Sequence, residues 1–257
     1  VLIIELEVPS CNASLDIVVL NVLPVALLML NDTLFNVFSL IAALDTVFGG
    51  ITSVLNKNFD KSIYNFFDDI TNRRSDDIKK YTVSVDNYID ILCAPRDPRD
   101  ANKIDAKIIE DIINKAKLSY DVVLIDTNHA LNDINLVTLQ SVDQILFVTT
   151  NDPMDLKNLK SLLTIFDDLN FDNYKILLNN SRDPFKNYFS MYDIKHILKH
   201  NINYTLSSEM YLKDIDKYLM DGEIVSLDDK FAEIMSEDYQ SFVVMATDLL
   251  SESDDYE

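Results

Sequence analysis

Apolar positions along the chain fall into two kinds of segment: short β-branched runs with the length of buried strands, and longer stretches with a helical period. Val1 to Val8 (VLIIELEV) is a strand of the first kind, and Ile17 to Leu30 is apolar and long enough for a helix packed on a sheet, kinked or shortened at Pro24. Val37 to Asp45 predicts a second strand. Ser62 to Ile70 predicts a short amphipathic helix with Ile63, Phe66, Phe67 and Ile70 on one face, and Ile89 to Pro95 a third strand. Residues 104 to 118 carry apolar side chains at i, i+4, i+5, i+8 and i+9, which predicts a helix. Three more apolar strands follow, Tyr120 to Thr127, Val142 to Thr150 and Tyr174 to Asn180, separated by segments long enough for crossover helices. Asn158 to Leu169 is one such helix, and Met191 to His200 and Asp229 to Leu250 are two more. The alternation predicts the α/β class: a doubly wound, mostly parallel sheet flanked by helices.

The 257 residues are 48% hydrophobic, enough for a sizeable core, and no Pro/Ser-rich linker or low-complexity block interrupts them. One domain over residues 1–250 is expected, followed by an acidic tail at 251–257. Charge narrows the partners. The formal net charge is −21, and the basic pairs Arg73–Arg74 and Lys79–Lys80 sit among aspartates. Nucleic acid is therefore excluded, because its binders need a cationic surface to displace counterions from phosphates; anionic lipid headgroups are repelled for the same reason. The two cysteines, Cys11 and Cys93, offer neither a disulfide framework nor a zinc pair, which suits a reducing, cytoplasmic compartment. The apolar segment from Leu15 to Leu30 lacks a basic flank and contains Asp16, Asn21 and Pro24, so it is expected to be a buried helix and not a membrane insertion.

Several strings are specific in combination. ILCAPRDPRDA (Ile91 to Ala101), YDVVLIDT (Tyr120 to Thr127) and ILFVTTNDPMDLKNLKSLL (Ile145 to Leu163) resemble, in that order, the strand-plus-APRDP turn, the Walker B strand and the following strand–helix segment of TadZ/CpaE-type pilus-assembly proteins. These belong to the MinD/ParA superfamily of P-loop ATPases. KILLNNSRD (Lys175 to Asp183) is similar to the strand that carries the superfamily's adenine-reading asparagine, which would be Asn179. LKDIDKYLMDGEIVSL (Leu212 to Leu227), with Gly222, resembles its late helix-Gly-Pro-Leu stretch, and ALDTVFGG (Ala43 to Gly50) its DLDLQFG turn.

The departures from that pattern carry the functional expectation. Where the resemblance puts the phosphate-binding KGGVGKT loop, this chain has Ser10, Cys11, Asn12, Ala13, Ser14, Leu15 and Asp16. Glycines in such a loop let several backbone N–H groups converge on the phosphates. The lysine neutralises the β- and γ-phosphates, and the hydroxyl beside it ligates Mg²⁺. Leu15 can do neither, and Asp16 would repel a polyanion at a helix N-terminus that should attract one. Ser10 replaces the lysine that in this superfamily reaches a partner's nucleotide. The only glycines are Gly49, Gly50 and Gly222, so no other loop supplies the motif. A second placement would put the true phosphate loop upstream of Val1; the order of strand, loop, apolar helix and strand argues for the first.

Asp45 stands at the water-orienting aspartate and Asp126 at the Walker B carboxylate, both as vestigial candidates without a phosphate or metal to act on. Asn128, His129 and Ala130 replace the γ-phosphate-sensing PPG. His196 and His200 have an i, i+4 spacing that can bind zinc, but no third ligand is evident, so solvated helix residues are the better reading. The resemblance thus implies a pseudo-ATPase without catalytic residues, metal or cofactor, acting as a localisation and assembly scaffold for a pilus or secretion apparatus. Its partners would be proteins of that apparatus, met as a homodimer or as a heterodimer with an active relative, at the inner membrane face or cell pole. The alternative is a weak ATPase holding ATP and Mg²⁺ through Asn179 and Asp126.

Overall fold

The computed structural model of the chain describes residues 2–6, 38–44, 58–85, 87–127, 132–180, 189–207 and 236–251. Eight strands form one sheet: β1 (Leu2–Leu6), β2 (Ser39–Ala43), β3 (Thr82–Ser84), β4 (Ile89–Leu92), β5 (Val122–Thr127), β6 (Gln144–Thr150), β7 (Tyr174–Asn179) and β8 (Tyr204–Leu206). Their order across the sheet is β3-β4-β2-β5-β1-β6-β7-β8, and every pairing is parallel except the edge strand β3, antiparallel to β4. Parallel neighbours cannot be joined by a tight turn, so each step needs a crossover. Helices occupy the described crossovers: α1 (Ile63–Thr71) and α2 (Pro98–Ala101), α3 (Ala106–Lys117), α4 (Asp133–Gln140), α5 (Pro153–Leu169) and α6 (Met191–Leu198), with α7 (Ser236–Ser251) after the last strand. The α/β, mostly parallel sheet flanked by helices is the architecture the hydrophobic pattern predicts.

Local chemistry sets the helix ends. Asp105 caps α3 by accepting from the Lys107 N–H at 3.0 Å, and Ile109, Ile112, Ile113 and Ala116 then bury one stripe against the sheet. Before α1, the Ser62 N–H and hydroxyl both donate to Asn65 Oδ1, at 2.8 and 3.1 Å. Helix α5 begins earlier than its apolar periodicity predicts, because Asp152 accepts from the Met154 N–H and Pro153 occupies the first turn, where a missing N–H costs nothing. It stops at Asn170, left-handed at φ 57°.

Two expectations are corrected. The helix predicted to reach His200 ends at Leu198, because Lys199 turns left-handed at φ 62° and its N–H closes on the Lys195 carbonyl. Four of these elements were not predicted: the one-turn helix α2, the strands β3 and β8, each three residues long, and α4, whose apolar residues follow no clean stripe. The expected helix over Ile17 to Leu30, the Gly222 stretch and the acidic tail beyond Ser251 lie outside the described residues, as does the start of the helix predicted from Asp229.

The core lies on the sheet. Leu124, Leu146, Phe147, Ile176, Leu177 and Leu178 are buried along the central strands. Under α5, Phe147 meets Phe166 edge-on at 5.2 Å between ring centres, and Tyr174 meets Phe166 edge-on at 5.8 Å. Such edge-to-face packing adds about 0.5–1.5 kcal/mol per pair beyond area burial.

Candidate functional site

All strands but β3 point their carboxyl ends to one rim. The chain runs from β1 to β2 on one side of the sheet and later to β6 on the other, so the order of connection reverses around β1. A parallel sheet leaves a crevice at such a switch point, outside the strand carboxyl ends.

On one side of β1, Asp126 lies one residue from the end of β5, in register with Ile4 of β1 and Ala43 of β2. Its side chain is half-buried and its carbonyl accepts from the Leu44 N–H at 2.8 Å. On the other side, Thr149, Thr150 and Asn179 are fully buried at the ends of β6 and β7, Thr150 in register with Asn179 and Asn179 with Leu206 of β8. Asp126 and Asn179 therefore share the rim but stand three strand spacings apart, about 14 Å at ~4.8 Å per spacing. Strand β1 ends between them at Leu6, and in sequence Ser10, Cys11, Asn12, Ala13, Ser14, Leu15 and Asp16 follow. That segment, Asp45 and the Asn128–Ala130 stretch lie outside the described residues.

Two carboxylates that sequence reasoning did not single out organise the β6–β8 side of the rim. Asp155, fully buried in the first turn of α5, accepts the Thr150 hydroxyl proton, and Thr150 Oγ1 in turn accepts from the Asp152 N–H at 3.2 Å. The helix N-terminus favours negative charge there. Asp238, 5% exposed at the start of α7, accepts from the Ser207 N–H at 2.8 Å and the Ser207 hydroxyl at 2.6 Å, which docks α7 on the chain leaving β8. Asp152–Pro153 is a helix-start signal that places Asp155 in a first turn; the Ser207–Asp238 pair, 31 residues apart, leaves no local trace.

At the β4 end, the Cys93 carbonyl accepts from the Ile63 N–H at 2.8 Å and positions α1. Burial pushes the Cys93 thiol up to about 11, against the opposing charge of Arg96. The cations of the turn that follows are engaged locally. The Arg96 guanidinium lies 4.5 Å from the Phe59 ring centre, Arg99 binds Asp97 at 2.6 Å, and Lys103 binds Asp100 at 2.6 Å. Hydrogen bonds from Arg99 hold the Asp97 carboxyl at about 2. Asp126, Asp152, Asp155 and Asp238 are thus among the described carboxylates on or beside the rim, interleaved with neutral hydroxyls and amides.

The two histidines do not share a helix face. His196 is exposed on α6, whereas His200, beyond the helix end, pairs its Nδ1 with the Tyr174 hydroxyl at 2.9 Å and its Nε2 with Asp167 at 3.3 Å. Among the described residues, no cluster of His, Cys, Asp and Glu has the makings of a metal site, and no helix is long and apolar enough to cross a membrane.

No family model and no curated protein matches the chain. Solved structures do. A ParA family ATPase from Chlorobium tepidum TLS superposes with a TM-score of 0.77 at 14% identity, over 95% of this chain and 98% of that one. MinD in a MinC:MinD cell division complex from Aquifex aeolicus gives 0.73 at 16% identity, over 97% and 96%. The septum site-determining protein MinD from Pyrococcus horikoshii OT3, in complex with Mg-ADP, gives 0.73 at 15% identity, over 96% and 95%. With near-complete coverage of both chains at these TM-scores, the chain has the fold of the MinD/ParA ATPases.

Proposed function

We propose that this protein is a non-enzymatic, TadZ/CpaE-like member of the MinD/ParA superfamily, a pseudo-ATPase that helps position or assemble a pilus or secretion apparatus through protein contacts. One observation carries the reading: the seven residues Ser10 to Asp16, which follow β1 in the sequence, include a leucine and an aspartate where the resemblance puts the lysine and hydroxyl that hold Mg-triphosphate. The engagement of the cations after β4 supports it, since Arg99 and Lys103 pair with Asp97 and Asp100 of the same turn and Arg96 stacks on the Phe59 ring. The net charge of −21 favours a basic protein partner and opposes DNA. The partner is a component of the apparatus, a second copy of this chain, or a catalytically competent relative. Recruitment by that partner would bring the protein to the inner membrane face or cell pole.

A second reading, a weak ATPase, draws on Asp126 and Asn179 standing on one rim on either side of β1. Calorimetric titration with Mg-ATP, paired with a turnover assay, separates the two. No saturable binding and no phosphate release are expected. Micromolar binding that Asp126→Ala or Asn179→Ala abolishes would overturn the scaffold reading. In the combined S14G, L15K and D16T variant, a gain of nucleotide affinity is expected if the loop alone blocks binding. Affinity capture from the native organism tests the assembly role separately: recovery of pilus or secretion components is expected, and their absence from the captured proteins would sink that assignment.

A further inference from the structure

We draw no further inference here: the strongest candidate, the Asp167–His200–Tyr174 side-chain cluster where α5, β7 and the end of α6 meet at the edge of the sheet opposite the rim, is already satisfied by its own contacts, and nothing in the structure points to a ligand for it.

Discussion

The two edges of the sheet use polar groups differently. At the amino-terminal edge they tie neighbouring elements together. Asp90 of β4 accepts from Ser84 of β3 at 2.6 Å and from the Tyr120 hydroxyl at 2.7 Å, while His200 joins Tyr174 to Asp167. Each contact there is explained by the elements it joins. At the carboxyl-terminal rim, Thr127, Thr149, Thr150 and Asn179 are buried at strand ends around the switch point, and Thr150 meets the buried Asp155 of α5. Apolar residues would pack strand ends at least as well, because buried hydrogen-bonded groups gain little net stability over them. The amino-terminal edge is therefore built for cohesion, and the rim is the place to look for function.

Substitutions can break or sharpen this contrast. The largest loss should come from neither edge: Phe166→Ala, in the aromatic cluster under α5, is expected to cost about 3–5 kcal/mol in urea unfolding. Next is the rim. Asp155→Ala strands the buried Thr150 hydroxyl and should cost about 1–3 kcal/mol by the same measurement. At the opposite edge, Tyr120→Phe removes one hydrogen bond to a carboxylate that keeps its Ser84 contact, and about 1 kcal/mol is expected. A larger loss at Tyr120 than at Asp155 would reverse the ordering of the two edges.

Tyr120 also sharpens the contrast through pH. Burial, followed by the neighbouring Asp90, raises the phenol above its ordinary range. A group whose pKa is raised on folding contributes stability that is intact below its unfolded pKa, about 10 for tyrosine, and lost as pH climbs toward the folded value. Unfolding midpoints should therefore fall above about pH 10, and less steeply in Tyr120→Phe. The smallest effect belongs to the exposed turn after β4. Arg99→Ala should let the Asp97 carboxyl rise from about 2 toward the ordinary carboxylate range in an NMR titration, with no measurable change in the thermal midpoint.

Much of the sheet was legible because its strands are buried on both faces. Continuous apolar runs such as Ile145 to Val148 and Ile176 to Leu178 have few other places to go. The edge strands β3 and β8 were not legible, since three residues with mixed burial show no period. Helix α4 escaped for a related reason: buried Asn135, Thr138 and Leu139 mix polar with apolar on its inner side. The end of α6 was misread because nothing in the periodicity of MYDIKHILKH marks Lys199 as left-handed. Of the candidate site, Asp126 and Asn179 were picked out through the resemblance of the strings that carry them. The partners Asp155 and Asp238 were not, because a carboxylate in an amphipathic helix looks the same in sequence whether it faces water or a strand end.

By itself the sequence determined the class of fold, through strand and helix periods set by backbone geometry. Only the tertiary structure decided which strand ends meet, that β1 lies between β5 and β6, and that Asp155 and Asp238 turn inward. Those outcomes depend on long-range pairing and on which helix face meets the sheet, and no local pattern encodes either.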